Sequence, residues 1–279
     1  MNVRIVVDSS TDITPEVRDR LTVVPLSIFF GEKEYIDGID IDHNKFYKML
    51  VESDVIPTTS QASPAAYTEI FQKAADAGES VVVLTIASTL SGTYQSAMIA
   101  AEDFDNVYVV DSQSVTIGAG ILAEYALTLA ESGMDAASIA QHLTEVREKV
   151  VIFAVLDTLE YLKKGGRISA TVAMAGTLLA IKPVVSLLNG DVNILGKARG
   201  NKQGNHHLVK EIENVGGVDF TKPFLLGYTG LSDTLLEKFI DDSKLLWEEH
   251  GSQLRSAHVG SAVGTHVGPG GIAAAFFKK

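Results

Sequence analysis

Short valine-rich runs alternate with helix-starting signals along the first half of the chain, and this alternation limits the fold more than any other feature. Val3–Val7 and Ser80–Ile86 are typical of buried strands. Thr14 before Pro15 is a typical helix start, because the hydroxyl can cap the helix and the proline suits its first position. Strands that alternate with helices form parallel sheets covered on both faces, so we predict a three-layer α/β/α domain with a mainly parallel sheet.

The second half repeats the alternation with a different connection. Asn189-Gly190 lies between two apolar runs and predicts a tight hairpin, which makes the second sheet mixed. We therefore predict an α/β fold of two domains, residues 1–149 and residues 150–279, with a ligand site between them. The final run, Ile272–Phe277, is short and is expected to be an edge or closing strand.

The individual elements follow from hydrophobic periodicity and turn residues. The predicted strands are Val3–Val7, Val23–Phe30, Ser80–Ile86, Val107–Val110, Val150–Leu156, Pro183–Leu188, Asp191–Gly196, Phe224–Tyr228, Leu254–Val259 and Ile272–Phe277. The predicted helices are His43–Val51, Pro64–Ala77, Gly92–Ala101, Gly118–Ser132, Ser169–Ala180, Lys202–Val215 and Asp233–Glu249.

Charge and composition exclude several classes of function. The 279 residues carry a net charge of −12, which disfavours nucleic-acid binding because phosphate backbones require clustered lysine and arginine. The chain has no cysteine, so disulfides, thiolate catalysis and cysteine-ligated zinc are excluded. It begins with a strand rather than a signal peptide, and no apolar run reaches the ~20 residues of a membrane helix. We expect a cytoplasmic protein without an integral membrane segment.

Three polar segments are the main candidates for a binding site: residues 58–61, residues 88–93 and residues 264–270. Ser91 is predicted at the start of a helix, where free N–H groups and the helix dipole attract anions. Thr59 precedes another helix start in the same way. His266 lies in what the sequence predicts to be a glycine-rich turn, where the backbone can approach a ligand closely. This set suits the binding of an oxyanion or carboxyl group.

Other polar residues have simpler interpretations. Asp8 and Asp111 follow predicted strands, and we expect them to accept hydrogen bonds from the loop amides that come next. Asp37, with Asp40 and Asp42, does not match a calcium loop and is expected to lie in a solvated loop. The glycines of Gly118-Ala119-Gly120 fit close helix packing better than a dinucleotide site. The adjacent His206 and His207 are expected on the surface, so we predict no metal site.

Taken in order, the motifs resemble the DegV family of bacterial fatty-acid-binding proteins along the whole chain. They are Val6-Val7-Asp8-Ser9-Ser10-Thr11-Asp12, Thr59-Ser60-Gln61, Leu90-Ser91-Gly92-Thr93-Tyr94, Val110-Asp111-Ser112, Leu162-Lys163-Lys164-Gly165-Gly166-Arg167-Ile168, Gly264-Thr265-His266 and Gly268-Pro269-Gly270. The resemblance implies a two-domain α/β fold that buries one long-chain fatty acid between its domains, with no other cofactor.

The resemblance also implies roles for particular residues. Thr59, Ser91 and His266 would hold the carboxyl group, and Arg167 would support the polar network beside it. Arg199 would contact a partner, a separate fatty acid kinase that phosphorylates the presented acid for phospholipid synthesis. Such a carrier would not be catalytic and could contact membranes transiently.

Two other functions stay open from the residues. Ser91 and His266, with an aspartate such as Asp8, could form a serine hydrolase or acyltransferase, although no G-x-S-x-G motif occurs. A dihydroxyacetone-kinase-like subunit would instead need a small polar pocket. The sequence also leaves open whether His266 is protonated.

Overall fold

A computed structural model describes residues 2–169 and 181–279, and the strands of these residues form three sheets. The strands are β1 Val3–Asp8, β2 Thr22–Val24, β3 Ser27–Phe30, β4 Lys33–Ile36, β5 Thr58–Ser60, β6 Ser80–Thr85, β7 Val107–Asp111, β8 Val150–Val155, β9 Ile181–Leu188, β10 Asp191–Arg199, β11 Leu225–Tyr228, β12 Ser256–His258 and β13 Ile272–Phe277. The helices are α1 Pro15–Arg18, α2 His43–Glu52, α3 Pro64–Asp76, α4 Thr93–Ala101, α5 Thr116–Glu131, α6 Ala136–Val146, α7 Glu160–Lys164, α8 Asn201–Asn214, α9 Thr234–Asp242, α10 Lys244–Trp247 and α11 Ser261–Val267.

The first domain is built on a four-stranded parallel sheet with the order β2-β1-β6-β7, as the alternation predicts. The prediction of one strand over Val23–Phe30 is wrong. The chain leaves the parallel sheet after Val24, and β3 belongs to an antiparallel sheet with the order β4-β3-β5. Pro25 lies between the two strands and has no N–H to donate to a sheet, which favours the break there.

The second domain is built on a mixed sheet with the order β10-β9-β8-β13-β11-β12. The Asn189-Gly190 hairpin joins β9 to β10, and both turn residues have positive φ, as a type I′ turn requires. The prediction that Ile272–Phe277 is an edge or closing strand is wrong, because β13 pairs with β8 on one side and β11 on the other. Its uninterrupted apolar sequence is typical of a strand inside a sheet.

The two-domain α/β class is thus confirmed, and both sheets contact the long helix α5. The predicted boundary between residues 149 and 150 stays a prediction; it coincides with the start of β8. Close packing explains the α5 glycines, as we expect from the sequence. A Cβ on Gly120 would lie 2.2 Å from the carbonyl oxygen of Asp12, and one on Gly118 would lie 2.7 Å from Ile152 Cδ1.

Two helices predicted in the second half are not found as predicted: one is interrupted, and the other lies almost entirely outside the described residues. The helix predicted over Asp233–Glu249 is interrupted at Ser243, whose hydroxyl donates to the Phe239 carbonyl at 2.5 Å and accepts from Trp247 Nε1 at 2.8 Å. Such side-chain bonds to the preceding turn often bend a helix. The helix predicted over Ser169–Ala180 lies, apart from Ser169, outside the described residues.

Candidate functional site

A cavity of about 430 Å³ lies between the two domains. The loops after β1, β6 and β7 form one side of it and contribute Ser10, Ile86 and Val115. These loops follow the carboxyl ends of parallel strands, which is where open α/β sheets bind ligands.

The opposite wall of the cavity is one face of the mixed sheet. Alternate residues of β8 and the residue after it, namely Ile152, Ala154 and Leu156, line the cavity, because successive side chains of a strand point to opposite faces. Further apolar lining residues from this sheet are Val185, Leu187, Val192, Ile272 and Ala273. This wall is an apolar surface on which an acyl chain or another apolar ligand can pack.

One group of polar lining residues lies where β5, the start of α4 and α11 meet. Thr59 Oγ1 and His266 Nε2 lie 2.9 Å apart, at hydrogen-bonding distance. Ser91 lines the same cavity, and its Oγ accepts the N–H of Thr93 at 3.2 Å. The structure therefore brings all three predicted carboxyl-binding residues to one cavity, although the N-cap of α4 is Gly92 rather than Ser91.

His266 lies in the last turn of helix α11, so the predicted glycine-rich turn is wrong at this position. Gly264 is the residue that suggests a turn, but it lies inside the helix, where a Cβ would come within 2.6 Å of Tyr47 Oη and 2.7 Å of Phe46 Cε1. The glycine thus permits close packing of α11 against two buried aromatic rings. A helix fixes the imidazole more firmly than a turn would.

Burial determines the charge of His266. Removal from water lowers its pKa to about 4, and the nearby positive charge of Arg167 acts in the same direction. A pKa lowered in this way favours the neutral imidazole near pH 7.

Arg167 connects the second domain to the segment that carries Ser91. Its Nε donates to the Leu90 carbonyl at 3.2 Å, and its Nη1 donates to the Gly165 carbonyl at 2.5 Å. Gly165 is a site residue that our sequence reasoning missed, because a Cβ there would lie 2.2 Å from His266 Nδ1. The Gly-Gly-Arg motif was visible, but only the fold shows that its first glycine makes room for the imidazole.

Arg199 does not belong to this cavity. It is exposed at the end of β10, where its backbone N–H donates to Gln203 Oε1 at 3.0 Å. Any role of this side chain concerns the outer surface of the second domain.

The aspartates have supporting positions. Asp8 Oδ1 accepts the N–H of Ser10 at 3.1 Å, and Asp111 Oδ1 accepts the N–H of Gln113 at 2.9 Å, as the simpler interpretation expects. Asp8 Oδ2 also accepts the N–H of Ile86 at 2.7 Å. The solvated-loop prediction is wrong for Asp37, which is buried and accepts from Ser9 Oγ at 2.7 Å. Asp40 and Asp42 are exposed.

Ser91, His266 and Asp8 form hydrogen bonds with other partners rather than with one another. Ser91 Oγ lies 2.9 Å from Thr93 Oγ1, and His266 Nε2 is bonded to Thr59. Asp8 binds Ser10 and Ile86 instead of the imidazole. A nucleophile needs its base within hydrogen-bond reach, and these three side chains do not form that chain. The extended apolar wall also differs from the small polar pocket of a dihydroxyacetone-binding subunit.

Within residues 2–169 and 181–279, no group of histidine and acidic side chains is arranged to hold a metal ion. Of the helices described there, none combines the length and hydropathy of a membrane-spanning segment.

Comparison with known proteins agrees with the motifs. The family profile of DegV matches residues 2–279. The chain belongs to the DegV family. A DegV domain-containing protein of Caldanaerobacter subterraneus subsp. tengcongensis is 33% identical over 283 aligned positions, which cover 99% of each chain.

Solved DegV structures share the whole fold. A fatty-acid-binding DegV family protein from Thermus thermophilus is 29% identical, with a TM-score of 0.85 and full coverage of both chains. A stearic-acid-binding protein from Eubacterium ventriosum is 28% identical, with a TM-score of 0.84 and coverage of 99% of this chain and 98% of that one. Both names describe ligand binding rather than catalysis.

Proposed function

We propose that this protein binds one long-chain fatty acid between its domains and is a carrier rather than a catalyst. The observation that carries the proposal is a largely apolar cavity of about 430 Å³ with Thr59, Ser91 and His266 at a polar end. Burial of each methylene contributes about 0.8 kcal/mol, so most of the affinity would come from the apolar wall. The fatty-acid binding of the Thermus and Eubacterium relatives supports the same ligand class.

In this proposal the polar end holds the carboxyl group. The hydroxyls of Thr59 and Ser91 donate to its oxygens, while His266 orients the Thr59 hydroxyl through their 2.9 Å contact. Arg167 supports the site by holding the Leu90 carbonyl next to Ser91. A buried carboxyl group requires such partners, because an unsatisfied one costs about 1–3 kcal/mol.

Bound lipid is the direct test. Purified protein extracted with organic solvent is expected to release about one fatty acid per chain, identified by mass spectrometry. Ser91→Ala is expected to weaken binding of palmitate by delipidated protein about 10- to 150-fold, since a hydrogen bond to a charged group contributes about 1.5–3 kcal/mol. Isothermal titration calorimetry measures the change.

Ser88→Ala is the matched control. Ser88 lies on the same loop, but its hydroxyl donates to Asp111 outside the cavity lining, so palmitate binding should stay within about twofold. Folded protein that yields no lipid and binds none would overturn the proposed ligand. Equal affinities of the Ser91 and Ser88 variants would remove Ser91 from the carboxyl site.

We propose further that the protein presents its fatty acid to a separate kinase, with Arg199 at the contact. The exposed guanidinium at the end of β10 lies outside the cavity, where it is free to meet an acidic surface without affecting the lipid. Arg199→Glu is expected to lower the rate of acyl-phosphate formation by a fatty acid kinase about tenfold while lipid content stays unchanged. Hydroxylamine trapping measures the acyl phosphate.

Lys48→Glu serves as the control for this charge reversal, because Lys48 is an exposed cation on α2 of the first domain. It changes the net charge by the same amount and should leave the rate unchanged. Equal rates for the Arg199 and Lys48 variants would contradict the contact.

A further inference from the structure

Asp12 is a buried carboxyl group that the proposed lipid site does not use. It lies in the loop after β1 and is 3% exposed. Its Oδ2 accepts from Thr116 Oγ1 at 2.6 Å, and its Oδ1 accepts from the backbone N–H of Gly260 at 2.8 Å. One side chain therefore joins the loop after β1, the first residue of α5 and the residue before α11.

Gly260 is the N-cap residue of α11, the helix that carries His266. The residue before it is held as well, because Tyr47 Oη donates to the Val259 carbonyl at 3.0 Å. His266 follows Gly260 by six residues, about 9 Å at the helical rise of 1.5 Å per residue. Because α11 has only about two turns, a shift of its N-cap residue moves the whole helix and the imidazole with it.

The three segments joined by Asp12 also line the cavity. Ser10 precedes it in the loop, Thr116 borders the cavity at the start of α5, and Ala262 and Val263 do so from α11. The carboxyl group thus lies behind the site and sets the relative position of first-domain and second-domain lining residues.

We propose that Asp12 is a positioning residue for the head-group site, which by holding the Gly260 N–H fixes α11 and thereby places His266 against the Thr59 hydroxyl that binds the fatty-acid carboxyl group. This inference rests on the proposed function. A rigid, correctly placed imidazole lowers the cost of ordering the site when the ligand binds.

Charged and titratable neighbours surround this carboxyl group. Those that face it from adjoining elements are Arg18, Asp37, His43 and Tyr47. Burial raises the pKa of Asp12 to about 7, although the hydrogen bonds from Thr116 and Gly260 oppose the rise. In either protonation state one oxygen can accept from Gly260, and an asparagine at this position keeps that acceptor.

The test compares palmitate with hexadecanol on delipidated protein. The two ligands share the acyl chain, and only palmitate has the carboxyl group. Asp12→Ala is expected to weaken palmitate binding about tenfold and hexadecanol binding less than about threefold, because the buried Gly260 N–H loses its acceptor and α11 shifts. Asp12→Asn is expected to restore palmitate binding to within about threefold of the unaltered protein.

A double-mutant cycle gives the second readout. If Asp12 acts through His266, then Asp12→Ala should add little to the loss caused by His266→Ala, whereas a merely structural effect would be additive. Where Asp12→Ala fails to fold, Tyr47→Phe replaces it, since it deletes only the hydroxyl that holds the Val259 carbonyl. We expect the same selectivity for palmitate, with a loss of about threefold.

Equal losses for the acid and the alcohol, additive effects with His266→Ala, or an Asp12→Asn variant as weak as Asp12→Ala would each overturn the positioning role while leaving lipid binding intact. Unaltered protein that binds neither ligand would overturn the proposed function, and this inference with it.

Discussion

As the pH rises from 4 to 7, the unaltered protein is expected to lose about 4 kcal/mol in free energy of unfolding that the Asp12→Asn variant keeps. The native pKa of Asp12 is about 7, against 3.8 as the ordinary value, because the group is buried. About 3 pKa units at 1.36 kcal/mol each give this magnitude. The unfolded chain releases the proton near pH 4, whereas the native protein holds it up to pH 7.

The sign follows from this difference in proton binding. The contribution of Asp12 to stability is complete below pH 4, falls as the pH rises, and is constant above about pH 7. Asparagine cannot ionise and lacks this slope. Urea denaturation of both proteins at several pH values measures how their free energies of unfolding depend on pH. His43 and His266, whose pKa values are lowered to about 4, make both proteins more stable as the pH rises, and this contribution cancels when one free energy is subtracted from the other. Parallel pH profiles of the two proteins would contradict the expectation.

Gly120→Ala is expected to lower the free energy of unfolding by about 2 kcal/mol or more. A Cβ at this position would lie 2.2 Å from the carbonyl oxygen of Asp12, and a backbone atom inside the domain has little room to move. Alanine gains about 1 kcal/mol in helix propensity, which offsets only part of the overpacking. The midpoint of urea denaturation reports the loss.

Gly251→Ala is the matched control for this substitution. Gly251 has a negative φ, and a Cβ there would meet no atom within 4 Å, so stability should stay within about 0.5 kcal/mol. If the Gly120 and Gly251 variants unfold at the same urea concentration, the contact between α5 and the loop after β1 does not constrain the fold.

The parts of the fold that the sequence predicts are those with local causes. Valine-rich runs, proline-started helices and the Asn189-Gly190 turn are determined by neighbours in the chain, and the structure has them near the expected positions. Strand order has non-local causes, so Ile272–Phe277 could be recognised as a strand but not as the one between β8 and β11. Likewise β5 is only three residues long and owes its pairing to distant β3.

The site divides in the same way. Ser91 was recognisable because a hydroxyl beside a helix start is a local pattern, whereas Thr59, predicted by the same pattern, lies in strand β5 rather than at the start of α3. The helix around His266 was missed because Gly264 suggests a turn locally, while its true partners, Phe46 and Tyr47, lie far away in the chain. The positions of Gly165 beside the imidazole and of Asp12 at the N-cap of α11 depend on tertiary packing, which no short sequence motif predicts.

The central place of β13 in the mixed sheet affects how the protein folds during synthesis. Until the ribosome has released the segment Ile272–Phe277, β8 and β11 have no strand to join them. The four parallel strands of the first domain end at Asp111 and can assemble much earlier. A nascent chain therefore carries an open, apolar half-sheet until the β13 segment has left the ribosome, which is the interval when chaperones would be needed most.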